Sequence, residues 1–186
     1  MTLPAFIADG CLPARDFELT LAELRESTLV AGPGASHPNW DAPWRASLVD
    51  NLAVMVGQLR RVGISEIFID GSFVEDKDHL NDIDGYFVCE LKDLSSGLLQ
   101  RSLNALDPHK VWTWDPASRL PHRGYPKKQL PMWHVYRVEL YPHFGQLSGI
   151  VDKFGNALEF PSAFRLSRRD GKPRGIVKIV QEGGTP

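Results

Sequence analysis

The 186-residue chain has only two cysteines, Cys11 and Cys89, and no Cys-x-x-Cys pair. That scarcity excludes a disulfide-dense scaffold and a cysteine-based zinc site, and two reduced thiols are the simpler reading. No apolar run approaches the ~18 to 20 residues of a membrane-spanning helix. Nor do Lys or Arg precede an apolar stretch within the first ten residues, so neither a membrane partner nor a secretory leader is expected. An excess of one charge is also missing. The 21 Lys and Arg against 23 Asp and Glu leave a net charge of −2, which disfavours general DNA binding. The strings GxSxG, HExxH and Gly-Lys-Ser/Thr do not occur, which removes a nucleophile-elbow hydrolase, a zincin and a Walker-type phosphate loop. What is left is one cytoplasmic domain over 1–186, long enough to bury a core without staples.

Within that length, residues 1–44 read as a lead-in segment. It carries a weak helix over Leu19 to Leu29 and a Gly- and Pro-rich break at 32–38. A core follows over 45–160. Leu48, Leu52, Met55, Val56 and Leu59 lie at i, i+4, i+7, i+8 and i+11, one apolar helix stripe ended by Gly63. Ile64 to Ile69 reads as a buried strand, Asp82 to Leu91 as a second strand, and Leu94 to Leu106 as a weaker helix. Trp133 to Tyr141 reads as a third strand, with Trp133, Val135, Arg137, Glu139 and Tyr141 on one face. Over 161–186 a β-hairpin, Phe164 to Arg168 with Ile176 to Val180, would turn at Asp170-Gly171, with Pro173 holding its second arm at a sheet edge. The class is α/β (α+β), a mixed sheet flanked by helices.

The chemistry-bearing stretch runs from Phe68 to Asp84. A strand ends at Asp70, Gly71 permits close backbone approach, and Ser72 opens a helical turn whose N–H groups suit an anion. Nine residues on, Asp82 and Asp84 alternate with Ile83, so their carboxylates share one strand face. Paired carboxylate oxygens beside a phosphate cradle suit Mg²⁺, which takes a few protein oxygens and completes its shell with substrate phosphates. The spacing Asp-x-acid also occurs at Asp16/Glu18 and Asp76/Asp78, so it signifies little without the Gly-Ser turn. Glu139 supplies a third acid later in the chain, the placement of a two-metal site.

Gly71-Ser72, Asp82-Ile83-Asp84 and Val138-Glu139-Leu140 resemble the hG[GS]…Dh[DE]h…h[DE]h signature of the nucleotidyltransferase (polymerase β-like) superfamily. The small size is similar to the minimal nucleotidyltransferases of bacterial toxin–antitoxin and phage-defence operons. The resemblance implies a nucleotidyltransferase-like sheet and a Mg²⁺-dependent transfer of NMP from an NTP to a protein or RNA acceptor. It assigns the metals to Asp82, Asp84 and Glu139, and the β- and γ-phosphates to Gly71 and Ser72. It also admits a toxin or other operon protein as partner. One departure is Gly85, where the signature has a hydrophobic residue.

Other readings stand beside this one. Ser72 and Glu75 also fit a capping box. Glu139 could be a strand acid paired with a base. The segment from Trp112 to Trp133 would suit a partner-binding surface, as on a catalytically silent antitoxin of the same fold. Six bases from Arg165 to Lys178 against Asp170 could grip a triphosphate or RNA, or form a solvated hairpin. Lys127 and Lys128, near Tyr125 and Trp133, combine charge with rings as a base-stacking surface does, although packing under a loop explains the rings equally.

Overall fold

The computed structural model describes residues 3–35, 37–167 and 170–183. Strand β1 (Asp16–Leu19) runs into two short helices, α1 (Leu21–Glu26) and α2 (Thr28–Ala31). Thr20 and Glu23 form a reciprocal capping box at the start of α1. The long helix α3 (Ala42–Arg61) is capped by Asp41, has Pro43 in its first turn, and buries the expected stripe from Leu48 to Leu59. Strand β2 (Ile67–Asp70), a 3₁₀ turn (Gly71–Val74) and β3 (Ile83–Val88) follow. The expected helix over Leu94 to Leu106 is two helices, α4 (Leu91–Ser95) and α5 (Leu98–Leu106), broken where Gly97 adopts a φ of +70°.

Trp133 to Tyr141 is not one strand. Pro131 opens helix α6 (Pro131–Tyr136), Arg137 takes a left-handed φ of 54°, and only then does β4 (Val138–His143) begin. Proline pre-sets the first helical turn, and this local signal outweighs the period-two pattern. Beyond it lie β5 (Leu147–Val151), β6 (Ala157–Glu159), α7 (Phe160–Phe164) and β7 (Ile176–Ile179).

Five strands form a mixed sheet in the order β1-β7-β2-β3-β4. β7 is parallel to β1 and antiparallel to β2, and β3 is antiparallel to β2 and parallel to β4. The C-terminal hairpin expected from the sequence therefore does not form with Ile176 to Val180 as its second arm, because β7 pairs with β1 and β2. β7 is an interior strand, and Pro173 lies just ahead of it, where its missing N–H costs the ladder nothing. Among the described residues a short antiparallel turn does form around Asp170-Gly171, with a bridge from Leu166 to Pro173 and backbone bonds from Arg174 N–H to the Arg165 carbonyl and from Ser167 N–H to the Lys172 carbonyl; Arg168 and Arg169 lie outside the described residues. The architecture is α+β. Among the described residues no helix is long and apolar enough to cross a membrane.

Register divides the sheet into two unlike faces. Ile67, Ile69, Ile83, Phe87, Val138 and Leu140 join the main core with α3. Phe68, Tyr86 and Ile176 face the other way and pack beneath Phe160 and Phe164 of α7. Gly85 occupies a point where side chains do not fit: an added Cβ would lie 2.3 Å from the Phe68 carbonyl oxygen and 2.9 Å from Leu140 Cδ2. That contact is the reason a glycine stands at this position. Gly85→Ala is expected to cost about 2 to 3 kcal/mol of stability through overpacking, checked by urea denaturation; an unchanged midpoint would contradict it.

Candidate active site

The same alternation that buries Ile83 and Val138 on one face points their neighbours to the other. Asp70, Asp84 and Glu139 are successive register partners across β2, β3 and β4, so three acids stand in a row on one face. Like charges directly opposite one another repel, and protein cations meet both ends of the row. At one end, Arg174 donates to Asp70 Oδ2 at 2.6 Å and to Glu75 Oε1. At the other, Glu139 Oε1 accepts the Leu130 N–H at 2.8 Å and lies 3.5 Å from the Arg119 guanidinium. Glu139 Oε2 accepts the Tyr141 hydroxyl, which in turn accepts from Arg119 Nη2 at 2.9 Å. Burial, with the Glu139 charge second, raises the Tyr141 pKa.

Asp82 stands just ahead of β3. The Trp133 indole N–H donates to Asp82 Oδ2 at 2.6 Å. Burial pushes the Asp82 carboxyl above its ordinary pKa; the indole bond opposes that shift and the charge of Glu139 adds to it. Gly71, with φ at +72°, approaches Asp84 so closely that an added Cβ would sit 2.9 Å from Asp84 Oδ2. The turn therefore needs glycine for closeness as well as for backbone angle. Ser72 follows, half-buried. The Ser72–Glu75 capping box does not form: Asp70 occupies the cap position, and Glu75 is the carboxylate that Arg174 holds.

Asp82, Asp84 and Glu139 line a cleft of about 660 Å³ together with Arg119, Lys127 and Lys128. That volume suits a ligand the size of a nucleotide. Gly71 and Ser72 do not line it; Gly71 touches one of its lining residues, Asp84. Residues 4–180 match the family described as a family of unknown function, DUF6932. The chain belongs to that family. No curated protein and no solved structure matches it.

In this DUF6932 chain the described bases near the C-terminus, Arg165, Lys172, Arg174 and Lys178, each face acids. Arg165 holds Asp16 and Tyr86, Lys172 holds Asp9 and Asp170, Arg174 is buried with Asp70 and Glu75, and Lys178 lies near Glu18 and Glu66. Trp112 and Trp133 are fully buried, and the Trp114 indole donates to the Leu140 carbonyl, so the tryptophans of that segment do not form an exposed partner surface. The sequence reading missed Asp70, Arg119 and Tyr141 as members of the site, and it offered Arg174 to a triphosphate or RNA where the structure pairs it with Asp70 and Glu75. Asp70 and Tyr141 were reachable, the one beside Gly71 and the other on the strand face of Glu139; Arg119 and Arg174 act across long stretches of chain.

Proposed function

We propose that the cleft binds an NTP with Mg²⁺ and transfers its nucleotidyl group to a protein or RNA acceptor, on a nucleotidyltransferase-like fold. One observation carries the reading: paired carboxylates and a cluster of three bases line the same cleft. A metal–triphosphate ligand presents that pattern in reverse, with a cation for the acids and anionic oxygens for the bases.

The donor set fits Mg²⁺ in part. Asp82 and Asp84 offer hard oxygens, and one or two carboxylates plus substrate phosphates are what this ion usually takes. Glu139 would first have to release its bonds to Leu130, Tyr141 and Arg119. Consistent with that, no group of three or more His, Cys, Asp or Glu among the described residues is arranged to hold a metal. The bound ion would neutralise negative charge on the phosphate oxygens and so ease attack on the phosphorus. The chain's own part is positioning. Arg119, Lys127 and Lys128 would hold the leaving pyrophosphate, while Trp133 fixes the Asp82 rotamer. Gly71, packed against Asp84, would keep that carboxylate in place without touching the phosphates itself, and Asp82 or Glu139 would accept the acceptor hydroxyl's proton. The engagement of Glu139 by three protein groups favours a second reading, a catalytically silent protein of the same fold that acts by contact with a toxin or another operon partner.

Calorimetric titration of each NTP, with and without Mg²⁺, tests the site. The expected result is Mg²⁺-dependent binding that Asp82→Asn weakens at least ~100-fold, the loss of one charge-assisted metal contact in a part-buried site. Absence of NTP binding by the folded wild type would overturn the transferase reading in favour of the silent one.

A further inference from the structure

A smaller pocket of about 230 Å³ is lined by Trp44, His79, Asn81, His122, Tyr125 and Arg137. It is below the ~300 to 1,000 Å³ of sites for drug-sized molecules, a size for a single ring system. Two aromatic pairs border it. Trp44 and His79 stack with centroids 6.2 Å apart and planes at 19°, and His122 meets Tyr125 at 5.2 Å. Asn81 adds an amide able to donate and to accept, and Arg137 lays its guanidinium over Trp133 at 3.8 Å. Trp133, fully buried, lies behind these rings: His122 and Tyr125 pack on it at 5.0 and 4.9 Å, and its indole N–H donates to Asp82. The pocket thus adjoins the residue at the centre of the proposed chemistry.

We propose that this slot is the acceptor site and takes an unpaired base of single-stranded nucleic acid, whose backbone crosses the basic loop between slot and cleft. The inference rests on the transferase reading. Charge supports it independently of the rings. From Pro116 to Val138 the sequence holds Arg119, Arg123, Lys127, Lys128 and Arg137 and no acid, although the chain as a whole is at −2. The loop gives Arg119, Lys127 and Lys128 to the cleft and His122 and Tyr125 to the slot. Of the nearby acids, Asp41 is engaged by His79 at 2.9 Å and by the Trp44 N–H at 3.0 Å, and Asp82 by the Trp133 indole at 2.6 Å. Burial, then the charges of Arg137 and His134, lower the His122 pKa, which leaves a neutral ring to stack at pH 7. Aromatic rings with a positive track bind single strands because every nucleotide brings a π-face and a phosphate. An acidic peptide offers the charge without the ring, so a protein acceptor matches half of the surface.

Fluorescence anisotropy with a labelled single-stranded RNA of about ten nucleotides, single-stranded DNA of the same sequence, and the RNA duplex tests this. The expected result is binding of single strands over duplex, weakening as salt rises from about 50 to 200 mM. Tyr125→Ala should weaken it about 10-fold, in the range for losing one stacked base, while Tyr125→Phe retains it. His122→Ala should act in the same direction, with circular dichroism verifying the fold of each variant. A preference between the RNA and DNA strands identifies the sugar; either one supports the slot. No binding, equal duplex binding, or unchanged binding by both alanine variants would overturn the inference. NTP binding without strand binding removes only this proposal and points to a protein acceptor. Strand binding without NTP binding keeps the slot as a base-binding site and removes the transferase reading.

Discussion

Arg174→Met should lower the melting temperature by roughly 10 °C, and by more at pH 8 than at pH 5. Arg174 is buried between Asp70 and Glu75, and Asp70 is fully buried at the end of β2. Removing one member of a buried ionic cluster costs about 3 to 5 kcal/mol because the remaining charges lose their compensation. For a domain of this size each kcal/mol shifts the midpoint by ~2 to 4 °C. The pH dependence follows from Asp70. Burial raises its folded pKa to about 7, against the lowering effect of Arg174, whereas an unfolded aspartate titrates near ~3.9. The folded state therefore binds more protons between those values, and stability contributed by the protonated group is lost as pH rises through about 7. Without Arg174 the folded pKa climbs further and the variant meets a larger penalty at high pH. Thermal melts at both pH values check this, and equal deficits would refute the assignment. Asp70→Asn combined with Arg174→Met should recover part of the loss, since one of the stranded charges is then gone.

Arg45→Met should be comparably damaging for a different reason. Arg45 is fully buried at the foot of α3. Its guanidinium donates to the carbonyls of Leu29, Phe73, Glu75 and Lys77 at 2.8, 2.9, 3.2 and 2.7 Å, and it stacks on Trp40 at 3.8 Å. Three of these carbonyls belong to the segment that follows Gly71 and Ser72. Methionine replaces the apolar stem but strands several acceptors, each costing ~1 to 3 kcal/mol where water does not reach. A loss of about 4 kcal/mol in urea denaturation is expected. A change under about 1 kcal/mol would mean that the segment is held by other contacts.

Both arginines show where sequence reading stops. The stripe of α3 and the buried strands β2 and β3 are legible because helix and strand periods are local properties. So is the common face of Asp82 and Asp84. The segment from Trp133 misleads for an equally local reason. Period two is satisfied by chance over residues 133 to 141, while Pro131 and the left-handed Arg137 set a helix and a reversal. The C-terminal bases mislead differently. Arg174 lies 104 residues from Asp70, and nothing near it in the chain marks it as buried.

By itself, then, the sequence determined which residues alternate, where turns need glycine, and that Asp82, Asp84 and Glu139 are the acids worth testing. Only the tertiary structure decided what each charge meets. Inserting β7 between β1 and β2 brings Arg174 to the carboxylate row, and folding the 116–129 loop over β4 brings Arg119 to Glu139. The physical reason is range: a side chain's facing follows from its own few neighbours, whereas its counter-ion follows from strand order and register.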